Sequence, residues 1–132
     1  MKVHSLLLSS LCVVASLVFL TGCGDSPENV VKNWHAAIRD GNRVEANKYV
    51  TGKDAAEFNA WIIRAWEMNK DDPEAKKVFA EWDNFKFTGA TSNGNSATMI
   101  TPSVLGKAEK ETLTLKKVDG KWKIDLAASV KQ

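Results

Sequence analysis

From Thr112 the chain reads Thr-Leu-Thr-Leu-Lys-Lys-Val-Asp-Gly-Lys-Trp-Lys-Ile-Asp-Leu, ending at Leu126. Asp119-Gly120 is a two-residue turn that requires positive φ and joins two antiparallel strands. Residues 112–118 form the first strand. In the second, Trp122, Ile124 and Leu126 alternate with Lys121, Lys123 and Asp125, the period of a half-buried strand. Upstream, Asn93-Gly94 marks another tight hairpin turn. Phe85 and Phe87, alternating with Lys86 and Thr88, predict the strand before it. Residues 97–104 predict the strand after it, with Pro102 confining its end to an edge or bulge. Residues 106–110 are a polar connection. The second half of the chain is therefore a meander of four antiparallel strands.

The first half carries helical signals. Ser26, Pro27 and Glu28 supply an N-cap, an N1 proline and an acid in the first turn. Val30, Val31, Trp34, Ala37 and Ile38 then share one helical stripe, which Gly41 ends as a C′ residue. Asn42 with Glu45 predicts a second cap and a short helix to about Val50. Asp54 with Glu57 repeats the pattern before a helix carrying Phe58, Trp61, Ile62 and Ala65. Asp72-Pro73-Glu74 opens a fourth, with Ala75, Val78, Phe79 and Trp82 on one face. Helices followed by a meander predict an α+β domain, the helices packed on one face of a four-stranded antiparallel sheet.

Ahead of the helices, Lys2 and His4 precede an uncharged, Leu- and Val-rich run over residues 5–20, ending in Leu20-Thr21-Gly22-Cys23. A basic start, an apolar centre and small residues at the end are the layout of a secretory signal. The run is shorter than the about 20 residues of a spanning helix. Leu20-Thr21-Gly22-Cys23 resembles the lipobox of bacterial lipoproteins. That resemblance implies a diacylglyceryl thioether on Cys23 and cleavage before it. Residues 1–22 are then a signal peptide, 23–26 a lipidated tether and 27–132 one domain. Extended backbone reaches about 3.3–3.6 Å per residue, so Gly24, Asp25 and Ser26 span roughly 10 Å and hold the domain at the headgroups. The expected place is the bacterial cell envelope. Asp after the lipidated Cys resembles an inner-membrane retention signal. Gly24 stands there instead and favours the periplasmic face of the outer membrane, although Asp25 blurs the distinction.

Removing residues 1–22 from the 132 leaves 110, the size of one domain, with 17 basic and 16 acidic side chains. That near-neutral balance argues against a nucleic-acid partner, which would show a clustered basic face. Cys12 leaves with the signal and Cys23 is modified, so no thiol remains for an internal disulfide or a thiolate zinc site.

Two stretches carry a wider resemblance. One runs through Ser26-Pro27-Glu28-Asn29-Val30-Val31 and Ala36-Ala37-Ile38-Arg39-Asp40-Gly41-Asn42. The other is Val118-Asp119-Gly120-Lys121-Trp122-Lys123-Ile124. In this order they resemble small bacterial lipoproteins of the nuclear transport factor 2-like superfamily, over about residues 27–127. The resemblance implies a curved, cone-shaped antiparallel sheet around helices, with a pocket at its open end. Its members include ketosteroid isomerases, dehydratases, polyketide cyclases and non-catalytic binding modules, so the fold alone leaves function open.

Enzymes of that superfamily use a carboxylate base tuned by burial. Asp125 alternates away from the apolar face, and Asp83 at a helix–strand junction is the best carboxylate that remains. His35 lies at the boundary of the first helical stripe and reads as a rim-of-core residue. Tyr49 reads as core or interface, and Asp72 as a cap more than a cation ligand. No phosphate loop, metal motif, cofactor motif or catalytic triad is present. Trp34, Phe58, Trp61, Trp82, Phe87 and Trp122 fall on expected inward faces, as core or as walls of an apolar pocket. Ile63 lies about 140° from the stripe of the third helix, and with Trp66 it forms a candidate interaction patch unless the fourth helix covers it. The sequence thus predicts a membrane-anchored, non-enzymatic binding or accessory module. The partners it leaves open are an envelope protein, a second copy of the chain or a small apolar ligand. An isomerase- or dehydratase-type pocket enzyme and a purely structural envelope protein are the alternatives.

Overall fold

The computed structural model describes residues 25–104 and 110–130. Cys23, the signal segment and all of the 106–110 connection except Lys110 lie outside them.

Helix α1 (Pro27–Arg39) begins where its cap chemistry directs. The Ser26 Oγ accepts the Asn29 N–H at 3.2 Å, and Pro27 takes the first turn. It ends at Gly41 (φ +70°): the Gly41 N–H donates to the Ile38 carbonyl and the Asn42 N–H to that of Ala37. These two bonds are the Schellman pair, and the left-handed residue suits glycine. Asn42 caps α2 (Arg43–Asn47) by accepting the Glu45 N–H at 3.1 Å. This helix stops short of the expected Val50, because Val50 and Thr51 form β1. The two residues run parallel to the last strand, Val50 beside Ile124, and the Ile124 N–H donates to the Tyr49 carbonyl at 2.8 Å.

Helix α3 (Ala55–Met68) follows a sharp reversal. Asp54 is left-handed (φ +65°), and its side chain makes no cap bond. The expected cap therefore fails, because the turn through Gly52 takes Asp54 out of the extended conformation a cap needs. Helix α4 (Pro73–Asp83) is capped by Asp72, which accepts the Ala75 N–H at 3.3 Å.

Phe85 and Phe87 do not form a strand. A tight local bond from the Thr88 N–H to the Lys86 carbonyl and the positive φ of Gly89 (+85°) bend this stretch. The two rings pack on each other at 5.0 Å and on Trp82 instead of alternating across a sheet. The meander begins with β2 (Thr91–Asn93) and β3 (Ser96–Thr101), joined by Gly94-Asn95, one place beyond the expected turn. β3 stops before Pro102, which cannot donate to a ladder. β4 (Glu111–Val118) and β5 (Lys121–Asp125) follow, with both Asp119 (φ +53°) and Gly120 (φ +78°) left-handed as a type I′ turn demands. Leu126, expected in the strand, opens the short helix α5 (Leu126–Val130), whose Ala128 N–H is taken by the Asp125 carboxylate.

The protein is thus α+β, with helices on an open sheet of five strands in the order β1-β5-β4-β3-β2. Three of the four expected strands are β3, β4 and β5; β2 pairs at Thr91–Asn93 in place of residues 85–88, and β1 is additional. Inward-facing Ala97, Met99, Leu113, Leu115 and Ile124 meet Val31, Trp34, Ile38, Ile62 and Trp82 from the helices in one apolar core. Burial of this kind contributes about 25 cal/mol per Å² of apolar surface. A polar relay crosses it. The Trp34 indole N–H donates to Asn59 Oδ1 at 2.9 Å, and the Asn59 amide donates to Asn47 Oδ1 at 3.0 Å, joining α1, α3 and α2. Among the described residues no helix is long and apolar enough to cross a membrane.

Candidate functional site

The buried line of α3 is Ala55, Asn59 and Ile62, continued by half-buried Trp66. Asn59 turns inward because the Trp34 N–H needs an acceptor, and this rotates the helix away from its expected stripe. Trp61, expected inside, is 53% exposed. Trp66 instead enters the gap between α1 and α4. Its indole N–H donates to the Val104 carbonyl at 3.1 Å, and its ring meets Phe79 edge-on at 5.3 Å.

Trp66 and Phe79 form a wall with a cleft on each side. One cleft, about 350 Å³, has a floor of Ile38 and Ile63 and a rim of Arg39, Asp40, Glu67 and Lys70. The glycine at position 41 leaves its corner free of a side chain. The second, about 210 Å³, is lined by Ile62, Ala65, Val78 and Val104, with Trp61 at its mouth. Both are half-open to solvent. Apolar surface with a few rim charges is the composition of ligand and partner sites. The Arg39 guanidinium lies 4.7 Å from the Phe79 ring centroid and pairs with Asp83 at 3.4 Å, so both aromatic and ionic contacts orient it.

His35 sits behind the wall, 8% exposed. It stacks on Trp82 at 4.5 Å and 10°, and touches the Trp66 and Phe87 rings. Its Nε2 is buried without a hydrogen-bond partner among the described residues. Burial and then Arg39 push its pKa down to about 4, against a smaller opposing pull from Asp83. The imidazole is neutral at pH 7 and belongs to the core.

Of the other aromatics picked out in the sequence, Trp34 and Trp82 are core, the Trp82 N–H donating to the Ser103 carbonyl. Phe58 is half-buried beside Trp61 at 5.8 Å, and Trp122 lies under the Lys117 ammonium at 5.1 Å. Of the six, Trp61 alone lines either of the two clefts. Ile63 and Trp66 are brought together, and both are half-buried in the larger cleft, where Phe79 of α4 covers part of the patch. Phe79 was expected on the apolar face of the fourth helix but was assigned to no site, and Arg39 was not singled out. For Phe79 the signal was its helical stripe; for Arg39 it was a place one turn beyond His35 on the same helix.

Asp83 is exposed and ion-paired, and Asp125 faces away from the core as expected, 3.7 Å from Lys116. The Tyr49 hydroxyl donates to Glu45 at 2.8 Å, which raises the Tyr49 pKa. Among the described residues no group of three His, Cys, Asp or Glu is placed to hold a metal ion. Neither a curated protein nor a solved structure matches the chain. The family described as a domain of unknown function, DUF4878, matches residues 21–125, and the chain belongs to it.

Proposed function

We propose that this protein is a lipid-anchored module of the bacterial cell envelope that acts by binding, through the clefts on either side of Trp66 and Phe79. The carrying observation is that pair of clefts, apolar in floor and charged at the rim, on the helical side of the sheet. Every described Asp and Glu side chain keeps contact with solvent, whereas a general base of the isomerase type is tuned by burial. The one described His is enclosed by rings. Both points favour binding over proton abstraction. Anchoring is supported by Leu20-Thr21-Gly22-Cys23, and the family match includes Thr21, Gly22 and Cys23. The finer fold we propose is the nuclear transport factor 2-like cone, which helices preceding an antiparallel meander support. The outer membrane's periplasmic face is the proposed location.

Two measurements test this reading. Labelled palmitate enters the wild-type chain and not Cys23→Ser; incorporation into the variant overturns the anchor. Ile63→Asp places a charge in the floor of the larger cleft. It abolishes crosslinking to an envelope partner or a second copy in native membranes, while circular dichroism stays unchanged. Unaltered crosslinking refutes the cleft.

A further inference from the structure

Among the described residues, nothing covers the side of the sheet away from the helices over β3 and the β4–β5 hairpin. This side presents Thr98, Ile100, Lys116, Lys121 and Lys123, with Ile100 63% exposed. The register sets Lys116 directly opposite Lys123. Like charges so placed destabilise a sheet. Among the described residues the one carboxylate paired with them is Asp125, 3.7 Å from the Lys116 ammonium, and it also caps α5. No ion pair reaches Lys121 or Lys123 among the described residues. Fold stability does not account for this arrangement, and an anionic surface laid against it does. A second copy of the same face does not, since it would bring lysine against lysine.

The chain's path identifies which anionic surface is nearest. Between Cys23 and the cap of α1 there is at most roughly 10 Å of extended backbone.

We propose that this open sheet face rests on acidic lipid headgroups, with Lys116, Lys121 and Lys123 as the contact cations and Ile100 entering the interface. The proposal rests on the lipid anchor at Cys23 for its geometry, and its test is independent of that anchor. The mature chain carrying Cys23→Ser, which has no lipid, is sedimented with vesicles of phosphatidylcholine alone or with added phosphatidylglycerol. It partitions onto the acidic vesicles at low salt and is released at high salt. Each lysine contributes about fivefold near an anionic surface, so K116Q/K121Q/K123Q loses most of the binding. A charge-matched variant on the helical side, K32Q/K76Q/K77Q, keeps it. Absence of binding, equal binding to neutral vesicles, or equal loss in both triple variants overturns the proposal. Stronger binding to soluble polyglutamate than to acidic vesicles overturns the lipid as occupant. Palmitate labelling reads the anchor separately, so either idea can fail without the other.

Discussion

Replacing His35 with Phe keeps an aromatic ring on Trp82 and removes the one group whose charge the core cannot accept. In the folded protein the imidazole pKa falls from 6.5 to about 4, chiefly through burial and secondarily through Arg39. In the unfolded chain it titrates at its ordinary value. As pH drops below 6.5 the unfolded state therefore binds the proton first, and stability is lost until the folded pKa is passed. Above 6.5 the contribution is complete; below about 4 the loss is constant. At about 1.4 kcal/mol for each pH unit between the two pKa values, the loss is on the order of 3 kcal/mol, large against the 5–15 kcal/mol typical of a domain. Acidic side chains titrate in part of the same window, so the quantity to follow is the wild type minus His35→Phe, from urea unfolding at a series of pH values. That difference falls by about 3 kcal/mol from pH 7 to pH 4. At neutral pH the variant equals or exceeds the wild type, because the orphaned Nε2 is gone. A flat difference curve, or an NMR titration of His35 near 6.5, refutes the reasoning. Arg39→Gln raises the His35 pKa and Asp83→Asn lowers it further; opposite signs point the same way.

The polar relay gives a second case: Asn59→Leu strands the buried Trp34 N–H and costs about 1–3 kcal/mol in urea unfolding, with a further loss if the larger side chain overpacks. Gly41→Ala forces a β-carbon into a left-handed residue and costs about 1–2 kcal/mol, although its nearest neighbour, Ile63 Cγ2 at 3.9 Å, leaves room. Asp72→Ala removes the cap of α4 and costs about 1 kcal/mol, whereas Asp54→Ala removes no cap bond and relieves no contact, so its effect is confined to the left-handed backbone. Lys123→Gln relieves the like-charge pair with Lys116 and leaves stability unchanged or raised by a few tenths of a kcal/mol; a clear loss refutes the assignment of Lys123 to the open face.

What the sequence revealed is what local chemistry decides. Ser26, Gly41, Asn42 and Asp72 act on N–H groups and carbonyls within a few residues, so their caps were readable. Asp119-Gly120 was readable because two consecutive left-handed residues leave few other sequences. Asp54 failed for the opposite reason: its conformation is set by the return from β1, an element that exists only by pairing with β5 far along the chain. Two residues carry no periodicity of their own. The inward turn of Asn59 was equally hidden, since counting apolar positions skips an amide that is buried to satisfy an indole. That one bond rotates α3, moves Trp61 outward and sets Trp66 between the clefts. The candidate site was therefore half legible: Ile63 and Trp66 came from the pattern, while Phe79 and Arg39 joined them only through the packing of α4 on α1.

The two faces of the domain divide the work that the proposals assign. Helices cover one side of the sheet, and both clefts open there, at the ends and edges of α1, α3 and α4. The lysines stand on the other side. A tether of roughly 10 Å is too short for the domain to tumble freely above a bilayer, so the orientation of the sheet decides what the clefts can reach. With the open face on the headgroups, the Trp66–Phe79 wall points away from the membrane and meets soluble or peripheral partners. With the helical side down, the clefts meet lipid, and the Glu67–Lys70 pair of the rim and the ion pair of rim Arg39 with Asp83 are buried against headgroups at a desolvation cost. Charge thus sets the first orientation over the second, and the loss of lysine contacts in K116Q/K121Q/K123Q weakens partner capture by the clefts in native membranes without altering either cleft.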